Sequence, residues 1–363
     1  MDKKIQIIAI IGAVIFSVFV LTSPSDPIPL PEPTSNSKND FVTILAEDLD
    51  KPRAIAVSND RIFVTEKDGF IRVIQDSNLL ESPLATFRSA NVFDGGLLGI
   101  TLHPNFSNNH YIYVFLTYDE NGNLWNKILR ITESNNKLQD AETIFDKIPG
   151  SSFTNGGFLK FGPDEKLYAG TGTVSDSSHL PQDLDSLSGK ILRLNDDGTI
   201  PDDNPFDNSP VYSLGHRNPQ GITWDDDGNM FVAEFGPEKN DEINLIQPGK
   251  NYGWPEQQCS GDVNFENAVL CYDPSIEPGG IVFYSGDKID FEFPFIMASM
   301  RSANVYQIDF EEGLSSQKSI LSGIGRVRDV VQGPDGSLYV ITSNTDGKGF
   351  PDGTDDKLLR ILK

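Results

Sequence analysis

The sequence predicts an all-β fold, a six-bladed β-propeller preceded by an N-terminal membrane-anchor or signal helix. Short turns rich in Gly, Pro, Asn and Asp recur along the chain, and each is followed by an apolar run typical of a strand. The composition also favours many short strands, because the 363 residues include 32 glycines, 23 prolines, 23 phenylalanines and 10 tyrosines. Two stacked β-sandwiches are the alternative architecture.

The first element, residues 1–22, is predicted to be a membrane anchor or signal segment. Lys3 and Lys4 precede an apolar stretch from Ile5 to Leu21, whose length is at the lower limit for a membrane span. Basic residues on this side favour a cytoplasmic N-terminus. The residues after Leu21 form a poor cleavage site, so an uncleaved anchor is favoured over a cleaved signal peptide.

Residues 23–40 are predicted to form a linker, because they combine prolines with serines and asparagines. The propeller is expected to occupy residues 41–363. With an exported or anchored N-terminus, this domain is extracytoplasmic, and only the first segment contacts the membrane. In an oxidising compartment Cys259 and Cys271 are predicted to form a disulfide, with two separate buried thiols as the alternative.

Six turns define the repeat within the propeller. Their markers are spaced by 45, 59, 62, 53 and 56 residues and are Asp60, Asn105, Asp164, Asp226, Gly279 and Asp335. Units of roughly 55 residues suit four-stranded blades. The run from Lys357 to Leu362 is predicted to be a strand that closes the ring by pairing within the N-terminal blade. Since the loops of all blades converge on one mouth of the channel, functional residues are expected there.

The charge balance excludes one class of partner. The chain has 29 Lys and Arg residues against 53 Asp and Glu residues, a net charge of −24. Nucleic acid is therefore not expected to bind, because its phosphates are held by basic side chains. Most of the acidic excess is expected to serve solubility, and part of it to bind cations.

Three stretches, residues 94–106, 182–206 and 215–255, are denser in specific residues than a blade repeat requires. They contain DGGLLGITLHPNF, QDLDSLSGKILRLN and GHRNPQG, and the last continues to EFGP, DEIN and NYGWP. With GRVRDV at residues 325–330, they resemble the soluble quinoprotein (PQQ-dependent) glucose/aldose sugar dehydrogenase family, in order, over residues 42–362. The resemblance implies a six-bladed propeller that holds pyrroloquinoline quinone (PQQ) and Ca²⁺ at the channel mouth. It also implies oxidation of the C1 hydroxyl of an aldose, with a histidine as the base.

The resemblance assigns cofactor-binding residues as well. PQQ carries three carboxylates, which Arg recognises through planar, bidentate hydrogen bonds. The matching positions hold four arginines, Arg217, Arg301, Arg326 and Arg328. Arg301 stands where the family usually has Lys. Asn218 is expected to contact the quinone oxygens. A surface ion pair is the alternative role for each arginine.

Two calcium sites follow from the same resemblance. The backbone carbonyls of Gly236 and Pro237 match ligands of the cofactor-bound Ca²⁺. Asp241, Glu242 and Tyr252 lie in a segment that supplies structural Ca²⁺ ligands. The alternative is that Asp241 and Glu242 belong to a solvated turn.

The sequence departs from the family at the catalytic base. Thr154 stands at the position of the family histidine, and Thr173 at the position of the Asp that usually orients it. A threonine hydroxyl does not act as a base near neutral pH without its own activator. The catalytic residue is therefore open, with Asp94 and His179 as candidates; an ordinary exposed loop histidine is the alternative for the latter.

The sequence is compatible with three functions. The first is a PQQ- and calcium-dependent oxidoreductase acting on the C1 hydroxyl of an aldose or a related alcohol. The second is a catalytically impaired, anchored propeller that serves as a binding module. The third is another calcium-dependent propeller enzyme, such as a lactone hydrolase, suggested by Asp94 and Glu277. A small-molecule sugar or alcohol is the expected partner, and no motif specifies the electron acceptor.

Overall fold

The computed structural model describes residues 41–176, 178–311 and 314–362, in which six antiparallel sheets surround a central channel. The predicted six-bladed propeller is thus confirmed. The predicted anchor and linker, residues 1–40, lie outside the described residues. Within the described part of the chain, no helix has the length and apolar character needed to cross a membrane.

The first half of the chain forms β1 and three blades. Strand β1 is Val42–Ala46, and blade 1 contains β2 (Pro52–Val57), β3 (Arg61–Glu66), β4 (Phe70–Gln75), β5 (Asn78–Leu79) and β6 (Ala85–Thr86). Blade 2 contains β7 (Leu97–Leu102), helix α1 (Phe106–Asn109), β8 (Tyr111–Glu120), β9 (Asn123–Ser134) and β10 (Lys137–Pro149). Blade 3 contains β11 (Gly156–Phe161), β12 (Leu167–Thr171), a 3₁₀ turn (Leu180–Gln182), β13 (Lys190–Leu194) and β14 (Val211–Leu214).

The second half forms the remaining three blades. Blade 4 contains β15 (Pro219–Trp224), β16 (Met230–Glu234), β17 (Asp241–Ile246) and β18 (Leu270–Tyr272). Blade 5 contains β19 (Pro278–Phe283), β20 (Phe295–Ser299), β21 (Asn304–Glu311) and β22 (Leu314–Ser322). Blade 6 contains β23 (Val327–Gln332), β24 (Leu338–Thr342) and β25 (Leu358–Ile361), completed by β1.

Ring closure joins the two ends of the propeller in blade 6. Strand β25 pairs with β24 on one side and with β1 on the other, where Thr43 faces Arg360. The prediction that the C-terminal strand pairs within the N-terminal blade is therefore wrong. Instead, the N-terminal strand β1 pairs within the C-terminal blade. Leu359 lies opposite Val340 of β24 and Ile44 of β1. The apolar C-terminal run therefore forms an inner position of blade 6, and β1 adds to its free edge.

The first strand of each blade lines the channel, and these inner strands approach one another very closely. A Cβ atom added at Gly99 would lie 2.1 Å from the carbonyl oxygen of Gly157, and one at Gly279 would lie 2.0 Å from that of Arg328. The prediction that Gly279 marks a turn is therefore wrong. Gly279 lies inside β19, where the backbone of the next blade leaves no room for a side chain.

The core lies between adjacent blades rather than within one sheet. Phe63 and Ile71 of blade 1, for example, pack with Ile112 and Val114 of blade 2. The Cys259–Cys271 disulfide is confirmed, with 5.7 Å between the Cα atoms. It ties the long loop after β17 to the outer strand β18.

Candidate active site

One mouth of the channel is surrounded by the beginnings of the inner strands and by the loops at the same end of each blade. Two adjoining pockets meet there and share Arg53, Asp94, Phe235 and Arg328; together they are called the mouth cavity below. The other lining residues are Lys51, Lys67, Phe93, Asn155, Gly156, Asn218, Gln220, Glu277, Met300, Arg326, Ser343, Asp346, Gly347 and Lys348. Five of the six blades contribute a lining side chain from the first residues of the inner strand or from the residue just before it, and blade 2 contributes Asp94 from the preceding loop, so the predicted convergence of distant residues is observed.

Arg326 is held by two carboxylates in the wall of the mouth cavity. Its Nη2 donates to Glu277 Oε2 at 3.0 Å and its Nε to Asp346 Oδ2 at 3.1 Å. Glu277 Oε1 also accepts from Arg301 Nη2 at 3.0 Å, although Arg301 itself is half exposed. Burial alone would raise the pKa of Glu277, but the attraction of Arg326, Lys348 and Arg301 outweighs it and lowers the pKa.

Arg328 lies deeper than Arg326 and contacts no carboxylate among the described residues. Its Nη2 donates to Gln220 Oε1 at 2.8 Å, and its Nη1 lies 3.2 Å from Met300 Sδ. Burial, followed by repulsion from Arg53, lowers the pKa of Arg328 to about 9. A cation in this condition is stabilised by any anion that enters the cavity.

Arg53 is a site residue that the sequence analysis missed. It is the second residue of β2, lines the mouth cavity, and is 9% exposed. Its Nε is buried without a hydrogen-bond partner. The sequence feature that could have identified Arg53 is a basic residue at the start of an inner strand, the same position that Arg328 has in β23. Blade 1 contains none of the long family motifs, so this feature is not recognisable from the sequence.

Arg217 and Asn218, although adjacent in sequence, have different surroundings. Asn218 lines the mouth cavity, where its Oδ1 accepts from the backbone N of Gly156 at 2.9 Å. Arg217 does not line it. Its guanidinium binds both oxygens of Asp176, at 2.9 and 3.1 Å, and donates to the carbonyl oxygens of Phe235 at 3.1 Å and Gly236 at 2.6 Å.

The predicted calcium ligands are spread over separate environments. The Gly236 oxygen accepts the hydrogen bond from Arg217, and Pro237 follows it in the loop between β16 and β17. The Tyr252 hydroxyl donates to the carbonyl of Leu245 at 2.6 Å. Among the described residues, no group of three or more His, Cys, Asp or Glu side chains forms a potential metal site.

Asp241 and Glu242 are buried residues of β17, so the alternative of a solvated turn is wrong. Asp241 accepts hydrogen bonds from the backbone N of Gly236, Ile276 and Glu277 and from the Ser275 hydroxyl. It therefore ties the loop of Gly236 to the start of β19. Glu242 accepts from the backbone N of Cys259 at 2.6 Å, and burial followed by repulsion from Glu234 raises its pKa to about 7.

The candidate bases occupy three different environments. Thr154 is buried and donates its hydroxyl hydrogen bond to the carbonyl of Thr173, which confirms that these two positions are neighbours. His179 is 77% exposed, with Nδ1 at 3.1 Å from Glu256 Oε1, and does not line the mouth cavity. Asp94 is half-buried and lines both of its pockets, and no described residue donates a hydrogen bond to its carboxylate. Of the two predicted substitutes, only Asp94 is at the mouth.

The mouth cavity fits an anionic cofactor. Arg53 presents a buried guanidinium with an unpartnered Nε, and Arg328 lacks a carboxylate partner within the described chain. Burial and the nearby Arg53 also lower the pKa of Lys67. Cations that are buried and mutually repulsive suit a ligand that carries several carboxylates, because such a ligand supplies the missing countercharge and hydrogen-bond acceptors.

Comparisons with known proteins agree with this fold. The family model for glucose/sorbosone dehydrogenase matches residues 49–360. The aldose sugar dehydrogenase YliI of Escherichia coli K12 is 32% identical over 340 residues, covering 85% of this chain and 91% of that protein. Quinoprotein glucose dehydrogenase B of Acinetobacter calcoaceticus is 35% identical over 255 residues, covering 61% of this chain and 53% of that protein. The solved PQQ-bound form of aldose sugar dehydrogenase from Streptomyces coelicolor matches with a TM-score of 0.79 and 35% identity, covering 88% of this chain and 97% of that one.

Proposed function

The chain belongs to the glucose/sorbosone dehydrogenase family, and from that premise we propose that it is a PQQ- and calcium-dependent oxidoreductase acting on the C1 hydroxyl of an aldose or a related alcohol. The observation that carries the proposal is the convergence of Arg326, Arg328 and the unpartnered Arg53 on one cavity. A cavity that served only to close a propeller would gain nothing from burying cations without partners, since such burial costs stability.

When bound, PQQ supplies a quinone that accepts a hydride, and Ca²⁺ acts on it as a Lewis acid. Arg326 and Arg328 are the residues that would hold the cofactor carboxylates. Both guanidinium groups are oriented before any ligand binds, Arg326 by Glu277 and Asp346 and Arg328 by Gln220. Such preorganisation reduces the entropy lost on binding.

The substrate hydroxyl must lose a proton as its carbon loses a hydride, so the site needs a base. Three carboxylates line the mouth cavity, and Glu277 and Asp346 each bind Arg326. Asp94 is the carboxylate without a hydrogen-bond donor among the described residues, and we assign it the role of the base. The apolar ring of Phe235, which lines the same cavity, would limit water around that carboxylate.

The calcium part of the proposal concerns the loop after β16. The carbonyl oxygens of Gly236 and Pro237 are hard ligands of the kind that Ca²⁺ accepts. Because the Gly236 oxygen already accepts a hydrogen bond from Arg217, Ca²⁺ binding there would compete with or share that contact. Asp241, Glu242 and Tyr252 are proposed as ligands of a second, structural Ca²⁺ on the strength of the resemblance alone.

Location and partners belong to the same proposal. We expect the propeller to act outside the cytoplasm, anchored by residues 1–22, with a small-molecule sugar or alcohol as the substrate. The Cys259–Cys271 disulfide supports an oxidising compartment.

Activity is tested by reconstitution. The full-length protein is incubated with PQQ and Ca²⁺, and reduction of an artificial electron-accepting dye is followed over a panel of aldoses and simple alcohols. Turnover is expected only when both PQQ and Ca²⁺ are present. Absence of dye reduction across the whole panel would contradict the proposed function.

A binding module without catalysis is the second candidate, and the Thr154 contact favours it. The Thr154 hydroxyl donates to the carbonyl of Thr173 and so helps to hold that loop in place. Thr154 also stands at the position of the family base. The variant Thr154→His separates the two candidates. If the native protein turns over and this variant adds nothing, the argument for lost catalysis is wrong; if only the variant turns over, the native protein is a binding module.

A further inference from the structure

The first blade supplies a cation that the family motifs do not account for. We propose that Arg53 is an additional anchor for a carboxylate of the bound quinone cofactor, acting beside Arg328 from the neighbouring inner strand β2. The inference rests on the proposed function, because it takes PQQ as the ligand of the mouth cavity.

Burial without partners is the first line of support. Arg53 is 9% exposed, and its Nε is fully buried and unpaired. Within the described chain, no carboxylate forms an ion pair with it and no side chain or carbonyl accepts a hydrogen bond from its guanidinium. A buried N–H donor without an acceptor is costly, so the Nε of Arg53 is stabilised by a ligand that supplies the missing acceptor.

Position is the second line. Arg53 lines both pockets of the mouth cavity and also the top of the channel below it. Arg326 and Arg328 line the same cavity but have protein partners, namely two carboxylates for Arg326 and Gln220 for Arg328. Arg53 is therefore the arginine of this cavity whose hydrogen-bonding capacity is left for a ligand.

Mutual repulsion is the third line. Burial lowers the pKa of Arg53, and Arg326 lowers it further, while Asp94 and Asp346 act in the opposite direction. Arg53 in turn lowers the pKa values of Arg328 and Lys67, after burial in each case. The folded apoprotein thus carries an electrostatic penalty that a polycarboxylate would remove.

Two opposite effects of one substitution test the inference. Arg53→Met keeps much of the side-chain volume and removes the charge. It is expected to raise the thermal unfolding temperature of the apoprotein, because an unpaired buried cation disappears. The same variant is expected to bind PQQ roughly 10- to 100-fold more weakly in calorimetric titration with Ca²⁺ present, the loss typical of a charge-assisted hydrogen-bonding pair.

Arg88→Met is the matched control, since Arg88 is an exposed arginine of the same blade, and it should change neither quantity. If Arg53→Met does not fold, Arg53→Gln is measured in the same way. PQQ affinity equal to that of the wild type, or a lowered unfolding temperature of the apoprotein with unchanged affinity, would overturn the role of Arg53 and leave the proposed function intact. Failure of the wild-type protein to bind PQQ would overturn both.

Discussion

At the scale of single residues, the mouth cavity divides its charged groups into paired and unpaired ones. Glu277 and Asp346 neutralise Arg326, whereas the side chains of Asp94 and Arg53 have no hydrogen-bond partner among the described residues. Paired groups set the shape and the charge of the cavity. Unpaired groups are available to a ligand or to a substrate proton, so substitutions there should impair function without lowering the stability of the fold.

The variant Asp94→Asn tests the base directly. Its kcat in the reconstituted protein is expected to fall by about 10²- to 10⁴-fold, the usual contribution of a general base. PQQ affinity is expected to stay the same or to increase, because a negative charge near the cofactor carboxylates is removed. Steady-state kinetics and calorimetry measure the two effects. Glu120→Gln, which changes an exposed carboxylate on the β8–β9 hairpin, is the control; a kcat of Asp94→Asn within twofold of this control would exclude Asp94 as the base.

A second residue-scale prediction concerns stability and pH. Lys160 lines the channel, and burial lowers its pKa from 10.5 to about 8, with Asp329 opposing this effect. Between these two pH values the unfolded chain binds more protons than the folded chain, so stability rises with pH across that window. Below pH 8, charged Lys160 carries the full penalty.

Lys160→Met is therefore expected to raise the free energy of unfolding by about 1–3 kcal/mol at pH 7. The gain should shrink as the pH rises from about 8 to about 10.5. Chemical denaturation at several pH values measures it, with the exposed Lys137→Met as the reference variant. A gain that does not change with pH would show that the charge of Lys160 is not its cause.

At the scale of elements, turn chemistry predicted the first hairpin of most blades and was wrong in blade 5. Asp60, Asp164, Asp226 and Asp335 do mark the first hairpin of their blades, because Asp and Gly favour tight turns between apolar strands. The Gly279 pair has the same local composition but lies in an inner strand, where the neighbouring backbone leaves no room for a side chain. Local sequence cannot separate these two uses of glycine, since the second depends on the next blade.

The close approach of inner strands predicts the effect of Gly99→Ala. An added Cβ would meet the carbonyl oxygen of Gly157 at 2.1 Å, so β7 and β11 must separate. A loss of about 1–3 kcal/mol or more in the free energy of unfolding is expected, as for other overpacked sites. Gly353→Ala is the matched control, because nothing lies within 4 Å of its added Cβ. Equal stability of the two variants in thermal unfolding would show that the inner strands can shift freely.

At the scale of the whole molecule, the repeat predicted six blades, and the family motifs predicted part of the mouth. Arg326 and Arg328 were predicted because they lie in a long motif. Arg53 was not predicted, because a single arginine after a proline is not a recognisable motif. It joins the site only because the ring places β2 beside β23. His179 shows the converse: it is a candidate base by sequence, but its exposed side chain pairs with Glu256 and does not line the mouth cavity.

Ring closure by β1 gives the prediction at this scale. A fragment of residues 41–363 is expected to unfold at the temperature of the full-length protein, since it keeps all strands of blade 6. A fragment that begins at residue 47 lacks β1 and exposes the edge of β25, so it should unfold more than about 5 °C lower and aggregate more readily. Calorimetric scans and light scattering compare the two. Identical behaviour of both fragments would mean that β1 does not close the ring.

The central claim is that the mouth cavity binds PQQ, and calorimetric titration of PQQ into the full-length apoprotein, with and without Ca²⁺, tests it most directly. Saturable binding of one PQQ per chain that tightens when Ca²⁺ is present is the predicted result. Absence of binding under both conditions would contradict it, and the buried arginines of the mouth would then have to serve another anion.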